Sequence, residues 1–125
     1  MQYCVTHSIV PIVDEDGVLA AHLQEIRRGS VVVACLAVLR QQHYGYSLLG
    51  TLEQAGFPVE ANTLYPLLRR LEKQGLLTSS WNTDESRPRK FYAVSSDGER
   101  LLDQLALEWD QLNTNIKAVL QGANQ

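Results

Sequence analysis

Seven residues in a short stretch could act together: Asn62, Thr63, Tyr65, Pro66, Arg69, Arg70 and Lys73. Stepped at roughly 100° per residue, they share one side of a helix. Leu64, Leu67, Leu68 and Leu71 share the other. The polar side carries three fixed positive charges and no acid, with an amide, a hydroxyl and a phenol at its start. Guanidinium and ammonium groups are donors only and hold phosphate oxygens, while Thr63, Tyr65 and Arg69 can reach bases or nearby phosphates. An apolar back with a basic front suits a helix laid against nucleic acid. The plainer reading is a solvated face whose bases pair with Glu72 and whose Asn62 and Thr63 cap the helix. Tyr65 and Pro66 fit that reading poorly.

A second basic group follows at Ser86-Arg87-Pro88-Arg89-Lys90. Arginines on both sides of a proline make an extended, stiff finger suited to phosphates or to the negative potential of a minor groove. Alone it reads as a basic loop; beside the basic helix it reads as a second contact.

The net charge of −3 does not suggest a polyanion as partner, but its distribution does. From Arg27 to Tyr92 nine basic side chains face five acidic ones, and outside that span two face nine. A basic middle is flanked by acidic ends, which should point away from a polyanion.

Other chemistries lack their parts. There is no phosphate-cradling glycine loop, no nucleophile elbow and no His-Glu zinc helix, so an enzyme is not expected. Cys4 and Cys35 lie far apart, and Cys35 sits in the apolar run Val31–Leu39, as a buried thiol would. His7, His22 and His43 do not cluster with them, so neither metal nor cofactor is expected. No apolar run approaches the ~18 residues of a membrane span. The N-terminus lacks a secretory pattern, so the expected location is the cytoplasm and no membrane partner is expected.

The elements that must position these residues follow from period and punctuation. A chain of 125 residues is read as one folded unit, able to bury on the order of two thirds of its unfolded surface. Residues 1–13 give no clear element. Asp14 is read as the cap of a helix to about Arg27, with Gly29-Ser30 breaking the chain. Ser30 is read as the cap of a central, largely buried helix from Val31 to about Gln41. Tyr44-Gly45-Tyr46 is read as a turn. A helix from about Tyr46 to Ala55 follows, ended by Gly56. Phe57-Pro58-Val59 is extended. The basic helix comes next, with Pro66 near its start, where a lost amide costs little, and Gly75 at its end. Leu76–Asn82 and Arg89–Val94 read as a hairpin. Ser96-Asp97-Gly98-Glu99 fits a capping box for a long last helix. The predicted fold is mainly α with a small β-hairpin: a winged helix-turn-helix plus a long C-terminal dimerisation helix. Its expected divisions are an N-terminal extension (1–26), a DNA-binding domain (27–95) and the last helix (96–125).

On that last helix Leu102, Leu105, Trp109, Leu112, Ile116 and Val119 are spaced alternately three and four apart, a heptad seam. The other helices and the hairpin use up their apolar surfaces on one another, so the seam is expected to meet a second copy. Two recognition helices ~34 Å apart would then read a two-fold operator. Trp109, mid-seam, reads as a packing anchor or as a platform for a flat apolar ligand held between two copies.

Arg27-Arg28-Gly29, Tyr44-Gly45-Tyr46, the string Asn62 to Leu77, Arg87-Pro88-Arg89-Lys90-Phe91-Tyr92 and Ser95–Gly98 together resemble the PadR family of transcriptional regulators. The likeness covers about Glu25 to Gln121. It implies a dimeric winged-helix repressor of the compact subgroup, which has a single C-terminal helix and is commonly released by a small molecule. Trp109 matches the tryptophan on which some compact members hold flat aromatic compounds. The implied DNA-binding residues are Tyr46, Asn62, Thr63, Tyr65, Pro66, Arg69, Arg70, Lys73, Arg87, Arg89 and Lys90. Two departures stand out. Residues 1 to about 20 precede the usual start, as an added arm or a misplaced start, and Asn62 stands where glycine is frequent. Two rival readings remain: a winged-helix protein-interaction module, and a small-molecule sensor with no direct role on DNA.

Overall fold

The computed structural model describes residues 16–84 and 86–122. The expected cap Asp14 and the segment 1–13 lie outside them. In chain order the elements are α1 (Val18–Val38), β1 (His43–Tyr44), α2 (Gly45–Gln54), α3 (Ala61–Lys73), β2 (Leu77–Asn82), β3 (Arg89–Val94) and α4 (Ser96–Leu120). The mainly helical, winged architecture is the one the sequence predicts. No helix among the described residues is long and apolar enough to cross a membrane.

The core is built from leucines at helical spacing. Cys35, Leu36 and Leu39 of the α1 end meet Leu48 and Leu52 of α2 and Leu64 and Leu68 of α3, all fully buried. Leu71 of α3, Leu77 and Tyr92 of the sheet and Leu102 of α4 close it. Burial pushes the Cys35 thiol up to about 12, so it is a neutral core side chain.

Several expectations change. The break at Gly29-Ser30 does not occur, because α1 runs through it without interruption. Ser30 does not cap. Its hydroxyl donates back to the Arg27 carbonyl at 3.0 Å, inside the helix. A mid-helix glycine costs about 1 kcal/mol relative to alanine, less than the packing of the apolar turn that follows. The helix also stops at Val38, short of Gln41.

The wing is a three-stranded sheet, in the order β1-β3-β2. Strand β1 was not expected. It exists through pairing alone, His43 opposite Tyr92 and Tyr44 opposite Phe91, with the rings of Tyr44 and Phe91 stacked at 4.0 Å.

Helix α3 begins at Ala61, so Pro66 is its sixth residue and lies beyond the first turn. The Asn62 carbonyl therefore loses its usual partner four residues on. Glu60 precedes the helix with no side-chain cap, so Asn62 and Thr63 are first-turn residues and do not cap.

The cap of α4 is Ser95, one residue before the expected box. Its hydroxyl accepts from the Gly98 amide at 3.0 Å and donates to the Gly75 carbonyl at 2.6 Å. One side chain thus satisfies the start of α4 and the end of α3. Gly98 has no room for a side chain, since a Cβ there would overlap the Leu76 carbonyl and the Val94 methyl. Beyond this anchor α4 leaves the core: Leu102 is buried, Leu105 half-buried, and Trp109, Leu112, Ile116 and Val119 are exposed.

Candidate nucleic-acid interface

The leucine face of α3 fixes what its other face presents. With Leu64, Leu67, Leu68 and Leu71 inside, Asn62, Thr63, Pro66, Arg69, Arg70 and Lys73 are exposed and Tyr65 is half-buried. Arg69, Arg70 and Lys73 make no ion pair among the described residues. Glu72, the partner in the plainer reading, turns the other way. It accepts from the Ser79 hydroxyl on β2 and from Lys90 Nζ on β3 at 3.2 Å. The Ser79 hydrogen bond and the Lys90 charge hold its carboxyl below the usual range against a counter-effect of burial. The structure thus places the unpaired cations of α3 on one continuous outer face.

That face divides between two grooves. On the sheet side, Tyr65 borders a groove of about 570 Å³ shared with Tyr44, Gly45, Tyr46, Trp81 and Arg87. On the α1 side, Thr63, Pro66 and Arg70 border a second groove of about 590 Å³. Asn62, Arg69 and Lys73 line neither groove and lie between the two along the helix.

The wing residues are unequal. Arg87 is exposed beside the first groove. The Arg89 guanidinium lies 4.9 Å from the centre of the Tyr44 ring, a cation–π contact. Lys90 is the least available of the three: its side chain is 29% exposed, bound to Glu72 and 5.2 Å from the centre of the Tyr92 ring. Burial works to lower its pKa, but the Glu72 hydrogen bond and the neighbouring negative groups raise it. Lys90 ties the wing to the back of α3.

Trp81 was not among the sequence-predicted site residues. It is 63% exposed on β2 and lines the first groove. An exposed tryptophan on a strand facing a basic helix could have drawn notice, but its face depends on register: Trp81 sits opposite Lys90. Tyr46, on the first turn of α2, is 83% exposed and lines the same groove. Of the seam residues, Leu102 and Leu105 serve this chain's own core, and Trp109, Leu112, Ile116 and Val119 form an uncovered apolar face.

Known proteins share this fold. A crystal structure of a PadR family transcriptional regulator from Eggerthella lenta DSM 2243 superposes with a TM-score of 0.80 at 43% identity, covering 84% of this chain and 94% of that one. A PadR-like transcriptional regulator from Bacillus cereus gives a TM-score of 0.69 at 27% identity, covering 78% and 97%. A Mycobacterium tuberculosis transcriptional regulator is 39% identical over 67 residues, 52% of this chain and 63% of that one. The family model described as "Transcriptional regulator PadR-like family" matches residues 35–104. That span holds the whole of α2, α3 and the wing, and the chain belongs to the PadR-like family of transcriptional regulators.

Proposed function

We propose that this chain is a sequence-specific DNA-binding repressor acting as a cytoplasmic homodimer, with residues 27–95 as the DNA-binding unit and residues 96–125 as the dimerisation helix. Residues 1–26 are an extension to that unit. One observation carries the reading: the outer face of α3 presents Arg69, Arg70 and Lys73 without ion pairs among the described residues, beside a wing that carries Arg87 and Arg89. Helix α3 enters a major groove, where Thr63, Tyr65 and Arg69 face bases or nearby phosphates, and the wing lies along the backbone. Two copies joined through Trp109, Leu112, Ile116 and Val119 read a two-fold operator with half-sites ~34 Å apart.

The test is a mobility shift with the DNA upstream of the chain's own gene against an unrelated duplex. A dimer that neutralises ~6–10 phosphates should lose ~10³–10⁵ in affinity between 50 and 200 mM salt. Arg69→Ala with Arg89→Ala should abolish the shift and leave the dimer intact. Full binding by that variant would place the DNA surface elsewhere. Absence of any shift by the unmodified dimer would favour a winged-helix module that binds protein.

A second reading concerns release of the repressor. Trp109 is 42% exposed at the start of the uncovered α4 face, about halfway along the helix. A flat aromatic effector stacked there between two copies would bias the spacing of the two α3 helices. Trp109→Ala should then lose effector response and keep operator binding. Quenching of Trp109 fluorescence by such compounds with no change in DNA affinity would instead favour a sensor without a direct DNA role.

A further inference from the structure

The wing accounts for one edge of α3. Its other edge, Thr63, Pro66 and Arg70, faces the second groove, whose far wall is α1. Arg27 and Arg28 stand on that wall, and the segment Pro58–Glu60 also lines the groove. Three arginines therefore line the groove, with Glu60 the one acid among the described residues of its lining. Arg27 and Arg70 have no ion pair among the described residues. Arg28 bonds Glu25 at 2.7 Å, but both side chains are well exposed, and such a pair has little net worth and yields readily to another anion. The uncapped first turn of α3 opens beside the same groove, where Thr63 adds a hydroxyl.

We propose that Arg27 and Arg28 of α1, together with Arg70, hold the sugar-phosphate backbone on the side of α3 opposite the wing. The inference rests on the DNA-binding reading above. Arg70 shares the outer face of α3 with Arg69 and Lys73, so an occupant of this groove also lies along the recognition face. A helix is ~10–12 Å across with its side chains, and the major groove is ≈ 12 Å wide between its two backbones. Cations on both flanks of one helix match that spacing: Arg87 and Arg89 meet one strand, and Arg27, Arg28 and Arg70 meet the other. A free phosphate ion shares the chemistry of a backbone phosphate, and the experiment separates the two.

The intact chain, Arg27→Gln/Arg28→Gln and Arg27→Lys/Arg28→Lys are compared by fluorescence anisotropy. The duplexes are the chain's own upstream DNA and a scrambled duplex of equal length, from 50 to 200 mM KCl. The glutamine variant should bind both duplexes more weakly by about the same factor. Its slope of log affinity against log salt should fall by about 1–2 per protomer, as expected for one or two lost phosphate contacts at ≈ 0.9 each. The lysine variant should restore most of the slope. An unchanged slope in the glutamine variant, or a loss confined to the upstream duplex, would overturn the assignment while leaving the DNA-binding reading intact. If the unmodified chain bound neither duplex, both would fall together. Inorganic phosphate at constant ionic strength is the last arm. Competition with DNA that depends on Arg27 and Arg28 supports the backbone assignment. Phosphate binding that leaves DNA affinity untouched overturns it. Both arginines are exposed and outside the core, so the variants should melt as the parent does.

Discussion

The ring of Tyr65 packs against Gly45: a Cβ built on Gly45 would stand 2.5 Å from Tyr65 Cε1. The first residue of α2 is thus a glycine because a side chain from α3 occupies its place. Gly45 has no left-handed backbone, so the constraint is the ring alone. Gly45→Ala should fold, since alanine favours helix by about 1 kcal/mol, but it should push Tyr65 out of the groove. The expected result is an unchanged or slightly raised melting point with operator affinity down ~10-fold, about 1.4 kcal/mol. In a double-mutant cycle with Tyr65→Ala the two losses should not add. Additive losses would separate Gly45 from Tyr65.

Glu72 fastens α3 to the wing through Ser79 and Lys90. Its pKa is lowered in the folded chain, so its stabilising effect is complete above the unfolded carboxylate value and is lost as pH falls through the folded one. The pKa of Lys90 is raised, so its share persists below the ordinary lysine value and is lost only as pH rises past the folded one. Glu72→Gln should therefore lower the melting point at neutral pH and flatten its acid-side dependence. The two proteins should converge at low pH. A constant gap from neutral to acid pH would show that the Glu72 charge is not what matters.

Gly98 faces backbone, not a flexible ring. Its missing Cβ would meet the Leu76 carbonyl, just before β2, where α4 begins. Gly98→Ala should cost about 1–3 kcal/mol, as overpacking does, despite the better helix propensity of alanine. Thermal or urea unfolding measures this directly. A neutral result would mean that the α4 start shifts freely.

The uncovered face of α4 should control assembly. Leu112→Asp with Ile116→Asp places two charges on side chains that are about half exposed and lie outside the core formed by the described residues. The variant should be monomeric by analytical ultracentrifugation and retain its helical circular dichroism. Operator binding should drop to the weak level of a single half-site. A dimer that survived both charges would move the interface to another surface.

The sequence by itself determined the parts that depend on neighbours a few residues apart. The leucine period of α3 set which face is buried and left Arg69, Arg70 and Lys73 outside. Gly56 and Gly75, at positive φ, end α2 and α3 where expected. The seam of α4 was visible as spacing; Leu102 and Leu105 of it pack on this chain's own core, and Trp109, Leu112, Ile116 and Val119 lie exposed. The tertiary structure decided what depends on distant partners. Strand β1 is two residues long, too short for any period, and forms only because Tyr92 and Phe91 offer it bonds. Ser95, not Ser96, caps α4 because the Gly75 carbonyl is within reach of its hydroxyl. Gly29 and Ser30 stay helical although locally they favour a break. The division of one basic face into two grooves, with Lys90 withdrawn to Glu72, likewise comes from what packs beside α3. Periodicity fixes which side of an element is apolar; only the meeting of elements fixes what each polar side chain finds opposite it.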